Sequence, residues 1–195
     1  MFDLQVYCLS DLHETKKRET VELFVDGFRN IFLFTENKFE LIELFLPSLD
    51  TSMIYVCCYK EKVVGVLGIG TNKKRVFCFD IKVCQKIFGK IKGMMIYKQL
   101  KLIAESPAVK KDSDLYIDYL TTDVSMRGKG IATKLLDFAC QLPEYNECYL
   151  EVLSKNTNAK GLYEKLGFKV YKKSFNFFTI IQGFGYPIKM KKRIK

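Results

Sequence analysis

The sequence has no tryptophan, only four prolines among 195 residues, and a single histidine, His13. None of its seven cysteines belongs to a CxxC pair and no cysteine pair lies near His13, so we expect no metal site. The odd number of cysteines, most of them in apolar runs, favours reduced thiols and a cytoplasmic location. No apolar run is long enough to span a bilayer, and the chain start lacks the basic residues of a signal peptide. We therefore expect no membrane partner.

Acidic residues are also in short supply, with 22 Asp and Glu against 32 Lys and Arg and a net charge of +10. This excess could serve nucleic-acid binding, attract a polyanionic small ligand, or form a solvated basic surface. The lysines are spread along the chain apart from a C-terminal cluster at 189–195, and nucleic-acid-binding signatures are missing. A solvated surface with some attraction of an anionic ligand is therefore favoured. With 48% apolar residues, the length predicts one domain, residues 1–195, with a sizeable core.

Hydrophobic periodicity predicts strands and helices in mixed order. Strands are expected at 3–9, 53–59, 63–69, 75–81, 115–122 and 148–153, with a final antiparallel pair within 169–178 and 188–194. Helices are expected at 12–27 with Ser10 or Asp11 as the N-cap, at 37–45 with Pro47 beyond its end, at 91–105, and from 131 onward. Phe39, Ile42 and Leu46 should lie together on one apolar side of the helix at 37–45. The helix at 91–105 has a broad apolar face that is predicted to pack in the core, with an adaptable acceptor pocket formed by its methionines as the alternative. This face comprises Met94, Met95, Tyr97, Leu100, Leu102 and Ile103.

A glycine-rich turn, Arg127-Gly128-Lys129-Gly130, separates the strand at 115–122 from the helix that follows. A helix start presents N–H groups without intrahelical partners, and glycines let the backbone approach a ligand closely. Two basic side chains add positive charge, so the turn predicts a phosphate site. The P-loop pattern GxxxxGK[ST] is absent. A dinucleotide fingerprint is a near miss, because Thr133 occupies the third glycine position and too little chain follows for that fold.

Two sequence blocks, one at 127–132 in the glycine-rich turn and one at 150–168 with Asn156, Ala159 and Tyr163, resemble the GNAT superfamily of N-acetyltransferases. Arg127-x-x-Gly130-x-Ala132 is similar to the family signature [QR]-x-x-G-x-[GA], which holds the pyrophosphate of acetyl-CoA. The second block keeps the family spacing of a strand, an N-x-x-A-x-x-x-Y helix and a G-F turn, at Asn156, Ala159, Tyr163, Gly167 and Phe168. The resemblance covers about residues 52 to 172. It implies a mixed, mostly antiparallel α/β sheet, flanked by helices and splayed open where CoA enters.

The resemblance also implies roles for individual residues. The cofactor-binding set would be Leu120, Thr121 and Thr122 for the pantetheine amides, Arg127, Gly128, Lys129, Gly130, Ala132 and Thr133 for the pyrophosphate, and Asn156, Ala159 and Tyr163 beside the pantetheine arm. Tyr163 would protonate the departing thiolate, although a packing tyrosine is the plain alternative. Asp118 would act as base or substrate contact, or else pair with a basic residue. Asp123 and Glu151 are weaker candidates for the base.

The sequence thus predicts direct transfer of acetyl from acetyl-CoA to a primary amine of a small molecule, peptide or protein. No metal takes part, and no Ser/His/Asp set or clear cysteine nucleophile suggests a covalent acyl-enzyme. Two other functions stay open: a CoA-binding module without catalysis, and a basic nucleic-acid-binding protein. The expected partners are a CoA thioester and an amine, with nucleic acid disfavoured. The acceptor is unassigned, and a homodimer stays open as the assembly state.

Overall fold

A seven-stranded sheet forms the centre of the computed structural model, which describes residues 3–195 apart from the side chain of Phe178. The strands are β1 (Gln5–Cys8), β2 (Ile54–Tyr59), β3 (Lys62–Gly70), β4 (Asp114–Thr122), β5 (Glu147–Leu153), β6 (Lys169–Lys173) and β7 (Pro187–Arg193). Their order across the sheet is β1-β2-β3-β4-β5-β7-β6. Only β4 and β5 pair in parallel. The predicted mixed, mostly antiparallel sheet is confirmed.

Seven α-helices accompany the sheet in the described residues: α1 (Thr15–Phe28), α2 (Lys38–Ser48), α3 (Ile81–Phe88), α4 (Lys90–Ala104), α5 (Ile131–Cys140), α6 (Thr157–Lys165) and α7 (Phe177–Ile181). Several starts are set by a capping side chain. The Asn37 carboxamide accepts from the N–H groups of Phe39 and Glu40, and the Asp80 carboxylate accepts from that of Lys82. Such caps satisfy donors that a helix start leaves without partners.

The core is one cluster of buried apolar side chains between α1, α2, α5 and the sheet. Phe24 of α1 lies at the centre of an aromatic group, with ring centroids 5.0 Å from Phe45, 5.2 Å from Phe77 and 4.6 Å from Tyr119. Gly68 makes room for this group, because a Cβ there would lie 2.5 Å from the Tyr119 ring. The strands β2 and β3 pair antiparallel as a hairpin. Its tight turn places Lys60 and Glu61 at positive φ, 47° and 62°, which suits the twist of a two-residue hairpin.

The sheet opens between its two parallel strands. β4 and β5 pair only from Asp114 with Glu147 to Ile117 with Leu150. Beyond that point β4 continues to Thr122 along β3, and β5 continues to Leu153 along β7. Each therefore has one unpaired edge facing the other. Because parallel strands run in the same direction, the segments that follow β4 and β5 both begin at this open end of the sheet.

Several predicted boundaries are wrong, for local reasons. Ser10 and Asp11 lie in a short 3-10 turn and do not cap α1, whose N-cap is Glu14. Pro47 lies inside the last turn of α2, where only one helical hydrogen bond is lost. The predicted strand at 75–81 is an extended segment with a single bridge, from Phe77 to Leu49. Asp80 ends this segment and is the N-cap of α3. The hydrophobic periodicity did not predict this helix.

Side-chain burial corrects further predictions. Phe39, expected beside Ile42, is 65% exposed, and α2 buries Leu41, Ile42, Leu44 and Phe45 instead. The buried stripe of α4 is Gly93, Ile96 and Leu100, whereas the predicted core residues Met94, Met95, Leu102 and Ile103 are exposed. β5 alternates between buried and more exposed positions, so only one of its faces lies in the core. The segment before β7 holds the short helix α7, where the sequence suggested part of a strand.

Candidate active site

The glycine-rich turn lies at the open end of the sheet, between β4 and α5. A 3-10 turn at Val124–Met126 follows β4, and Gly128 and Gly130 then adopt φ of 76° and 80°. Gly130 is the left-handed N-cap of α5. Side chains rarely adopt such φ values, so glycine is the residue that this backbone path requires. Nothing lies within 4 Å of the place where a Cβ would stand at either glycine, so their open faces are accessible to a ligand.

The turn presents backbone donors without acceptors. Within residues 3–195, no hydrogen bond uses the N–H groups of Gly128, Gly130, Ile131, Ala132 and Thr133; the first helical bond runs from Lys134 N to Gly130 O. These donors stand at the positive end of the α5 dipole. The Arg127 side chain beside them is exposed. The arrangement fits a pyrophosphate group, because several N–H groups and a nearby guanidinium can share its charge.

Asp123 shapes the entry to the turn. One of its carboxylate oxygens accepts from Ser125 N at 2.9 Å and Ser125 Oγ at 2.7 Å, and the other lies 3.0 Å from Lys62 Nζ. These hydrogen bonds lower the pKa of Asp123 to about 2. A carboxylate that is held in this way and is so weakly basic is a poor proton acceptor near neutral pH. Its position therefore argues for a structural role and against its use as the base.

The predicted pantetheine residues lie on the stretch of β4 that β5 leaves unpaired. Leu120, Thr121 and Thr122 pair on their other side with Leu67, Val66 and Gly65 of β3. Thr121 is buried and faces α1, which comes so close that a Cβ at Gly27 would overlap its hydroxyl. Leu120 and Thr122 are half-buried and, by strand alternation, face the opposite side. Backbone groups along this edge are available to an extended ligand.

Helix α6 follows β5 at the same open end. Asn156 caps this helix, its side-chain oxygen accepting from Ala159 N at 3.2 Å. Tyr163 lies one turn after Ala159 and is 8% exposed, with its ring edge-on to Phe168 at 6.0 Å. Burial raises the pKa of Tyr163 to about 12, so its phenol is protonated at neutral pH. None of the hydrogen bonds found in residues 3–195 involves that hydroxyl, which leaves it able to donate to a ligand.

Asp118 stands on β4 directly after the pairing with β5 ends, and it forms an ion pair with Arg75. Arg75 Nε lies 3.0 Å and 2.9 Å from the two carboxylate oxygens, and the Arg75 Nη2 group also contacts the first. The side chains are 15% and 8% exposed. Burial raises the pKa of Asp118, and the charge and hydrogen bonds of Arg75 oppose that rise. The sequence left three roles open for Asp118: a base, a substrate contact or an ion pair with a basic residue. In the structure Asp118 forms an ion pair.

Arg75 was not among the predicted site residues. It lies 43 positions from Asp118, in a loop that the hydrophobic pattern read as a strand. Its Nη1 group donates to the carbonyl oxygen of Ser106, and its guanidinium lies 5.9 Å from the Tyr116 ring centroid. A basic residue at the start of a wrongly predicted strand carries no sequence signal for this role. Glu151, the other weak candidate, is exposed and lies 3.8 Å from Lys189 Nζ.

Residues 3–195 contain no group of three or more His, Cys, Asp or Glu side chains placed to hold a metal ion. Among the helices of the same residues, none combines the length and apolar character needed to cross a membrane.

The fold is shared with solved acetyltransferases of low sequence identity. The histone acetyltransferase HPA2 and related acetyltransferase of Corynebacterium glutamicum has a TM-score of 0.65 at 20% identity, over 99% of this chain and 97% of its own. The ribosomal-protein-S18-alanine N-acetyltransferase of Escherichia coli has a TM-score of 0.59 at 15% identity, over 98% and 94%. A chain of the NatC complex bound to Gag peptide and CoA has a TM-score of 0.60 at 16% identity, over 98% and 99%. No curated protein matches the sequence significantly.

At these identities the structural likeness establishes the fold alone, and the family assignment comes from the sequence. The model of the acetyltransferase (GNAT) family matches residues 18–168. This range includes the splayed strands, the glycine-rich turn and α6 with Tyr163. The chain therefore belongs to the GNAT family of acetyltransferases.

Proposed function

We propose that this acyltransferase moves an acetyl group from acetyl-CoA directly to a primary amine of a small molecule, peptide or protein, and that residues 1–195 act as one domain. The observation that carries the proposal is the set of backbone donors at Gly128 and Gly130–Thr133 that have no acceptor in the described residues. They lie at the same end of the sheet as the unpaired edge of β4. A diphosphate followed by an extended amide-containing arm matches both features.

The residues would divide the binding task by position. The N–H groups from Gly128 to Thr133, with Arg127 and Lys129, would hold the pyrophosphate. The free edge at Leu120, Thr121 and Thr122 would bond the pantetheine amides, and Ala159 would leave room for the arm beside α6. Because the Asn156 side-chain oxygen caps α6, a bond from this residue to the arm would come from its amide nitrogen. A fixed groove of this kind places the thioester for attack, which can supply much of the rate.

In the transfer itself, the amine nitrogen bonds to the acetyl carbon, the carbon–sulfur bond breaks, and the amine loses a proton. Tyr163 would donate its hydroxyl proton to the departing thiolate and regain one from solvent. Its raised pKa keeps the proton in place until the sulfur becomes basic. Asp118 would accept the amine proton, or hold the cationic substrate, once its contact with Arg75 opens.

The cofactor site is tested by thermal unfolding with and without acetyl-CoA or free CoA. Ligand at about 100 times its dissociation constant adds about 2.7 kcal/mol to the free energy of unfolding. Gly130→Val should abolish most of this shift. Gly89→Val is the matched control, because Gly89 has φ of 81° and an equally open Cβ position but lies between α3 and α4. If wild type shows no shift, or if both variants lose it equally, the proposed site is wrong.

Catalysis is tested by thiol release from acetyl-CoA with a panel of primary amines. Loss of a general acid lowers kcat by about 10² to 10⁴-fold, so Tyr163→Phe should slow turnover by this order while the CoA-induced stabilisation persists. A non-catalytic CoA-binding module would show the stabilisation and no amine-dependent thiol release in wild type. Equal rates for wild type and Tyr163→Phe would remove the tyrosine from the mechanism without affecting the cofactor site.

A further inference from the structure

The excess positive charge of the chain lies in two segments, and one of them is the connection between β3 and β4. Residues 71–113, which join β3 to β4 and contain α3 and α4, carry 11 Lys and Arg against three Asp and Glu. They have a net charge of +8, residues 155–195 have +10, and the rest of the chain is net acidic. The lysines are therefore less evenly spread than the sequence pattern suggested, because this connection carries an excess in addition to the C-terminal one. A local excess of this size makes an attractive field for an anionic partner.

Most of this charge is not compensated within the protein. Four basic residues of the connection form ion pairs, namely Lys73, Lys74, Arg75 and Lys101. The other seven lie beyond 4.0 Å of any carboxylate oxygen of residues 3–195; they are Lys82, Lys86, Lys90, Lys92, Lys98, Lys110 and Lys111. In the C-terminal cluster, Lys189 and Lys191 pair with Glu151 and Glu147, whereas Lys192, Arg193 and Lys195 have no carboxylate partner in residues 3–195. The α3–α4 side of the molecule therefore carries a large share of the uncompensated positive charge.

Helix α4 combines this charge with an exposed apolar stripe. Its buried stripe packs so closely on α3 that a Cβ at Gly93 would lie 2.5 Å from the Cys84 carbonyl oxygen. On the opposite side, Ile91, Met95 and Leu102 are 73%, 64% and 75% exposed. At the helical repeat of 3.6 residues per turn these three fall within about 40° of one another. We call them the outer stripe.

Lysines border the outer stripe on both sides. By the same helical repeat, Lys98 lies next to it, Lys90 and Lys101 lie along one flank, and Lys92 lies along the other. No acidic residue occurs in α4. Apolar side chains flanked by lysines characterise helices that lie in the plane of a membrane interface, where the apolar residues enter the acyl boundary and the lysines meet anionic headgroups.

We propose that α4 docks on an anionic lipid bilayer, with the outer stripe inserted at the interface and the surrounding lysines on the headgroups. This departs from the expectation that the protein has no membrane partner. That expectation was based on the lack of a spanning segment, and a helix lying on the surface needs none. The proposal does not depend on the acetyl-transfer chemistry proposed above.

Two other occupants fit the surface less well. A second copy of the chain would bring its own uncompensated lysines against these, and like charges at close range oppose such pairing. A nucleic acid would meet the lysines with its phosphates, but in a duplex the apolar base faces are stacked inside and do not cover Ile91, Met95 and Leu102. A lipid surface satisfies both the charge and the apolar stripe.

The test is co-sedimentation of the full chain with vesicles. We expect binding to vesicles of phosphatidylcholine and phosphatidylglycerol in equal parts, and none to vesicles of phosphatidylcholine alone. The variant Ile91→Gln/Met95→Gln/Leu102→Gln should bind about tenfold more weakly. The variant Lys90→Gln/Lys92→Gln/Lys98→Gln should bind about 100-fold more weakly, since each lysine near an anionic surface contributes a factor of about five.

Two control variants replace the same numbers of exposed apolar side chains and of lysines outside α4. Leu33→Gln/Phe175→Gln/Ile181→Gln replaces three side chains that are 73%, 80% and 67% exposed outside α4. Lys169→Gln/Lys172→Gln/Lys173→Gln removes three charges from β6, at the far edge of the sheet. Both should bind within about fivefold of wild type. Thermal unfolding of every variant checks that the fold is kept.

Three results would overturn the proposal. The first is no binding of wild type to the anionic vesicles. The second is unchanged vesicle binding after loss of the outer stripe, which would mean simple adherence to polyanions, as a nucleic-acid partner would predict. The third is a stable dimer by light scattering that the outer-stripe variant converts to a monomer, because a second copy would then cover the stripe.

Discussion

Replacing Tyr119 with phenylalanine should stabilise the unliganded protein. The Tyr119 hydroxyl is the one fully buried side-chain polar atom in residues 3–195 that lacks a hydrogen-bond partner. Its ring is 8% exposed and stacks on Phe77 at 5.8 Å, with Phe24 at 4.6 Å. Apolar neighbours on these sides offer no acceptor. Burial accordingly raises the pKa of Tyr119 well above its ordinary range.

The size of the effect follows from what the substitution removes. Burying a polar group without a partner costs about 1–3 kcal/mol. Phenylalanine keeps the ring contacts and removes the unpartnered hydroxyl, which stabilises the folded state. The small void that the missing oxygen leaves offsets part of this stabilisation. We expect the free energy of unfolding to rise by about 1–2 kcal/mol. For a protein of this length, 1 kcal/mol corresponds to about 2–4 °C in Tm.

Urea unfolding without ligand measures the change, and Tyr149→Phe is the control. The Tyr149 hydroxyl donates to Glu147, so the same chemical change removes a hydrogen bond and should lower the free energy of unfolding by about 1 kcal/mol. Opposite signs for the two variants are the expected result. A loss of about 1 kcal/mol or more in Tyr119→Phe would mean that the hydroxyl has a partner, such as an ordered water, and would refute the reasoning.

Two further predictions concern charged groups. Arg75→Met should lower the free energy of unfolding by about 3–5 kcal/mol, because it leaves the Asp118 carboxylate, 8% exposed, without its counter-ion; Arg75→Met/Asp118→Leu should recover most of the loss in the same urea assay. Asp123, with a pKa lowered to about 2, stabilises the fold above its unfolded pKa of about 4 and loses this contribution as the pH falls from 4 to 2. The difference in stability between wild type and Asp123→Ala should therefore be full at pH 6 and shrink across that window, and a pH-independent difference would contradict it.

The parts of the site that the sequence could predict are those whose geometry is local. The glycines at 128 and 130 indicate a turn with positive φ, because few other residues adopt that conformation. The spacing from Asn156 to Tyr163 is fixed by one helix and its cap, so the residues keep their relation wherever the helix lies. Periodicity likewise located β4 and the start of α5 to within a few residues, since each has one clearly buried face, whereas α6 was located by the family motif.

The features that were missed depend on distant parts of the chain. The extended segment before Asp80 is rich in apolar and aromatic residues, so it looks like a strand, although only Phe77 finds a bridge partner. Helix α4 is apolar on two sides, and no local pattern tells which side the rest of the protein will cover. Arg75 and Asp118 lie on separate segments that only the folded sheet brings together. In each case tertiary contacts decide between local options of similar energy.

Under the proposed function, these contacts leave the site with a ready proton donor and a restrained acceptor. Tyr163, with a pKa of about 12, holds a proton for the thiolate at any physiological pH. The amine, by contrast, must lose a proton before it can attack. Deprotonating a lysine-like ammonium of pKa about 10.4 at pH 7 costs about 4.6 kcal/mol. Asp118 is bound to Arg75 as it stands, and the guanidinium weakens it as a base. If a substrate draws Arg75 away, the lowering effect of the guanidinium on the pKa of Asp118 is lost and that pKa rises further. The ion pair would then couple proton acceptance to the arrival of the acceptor.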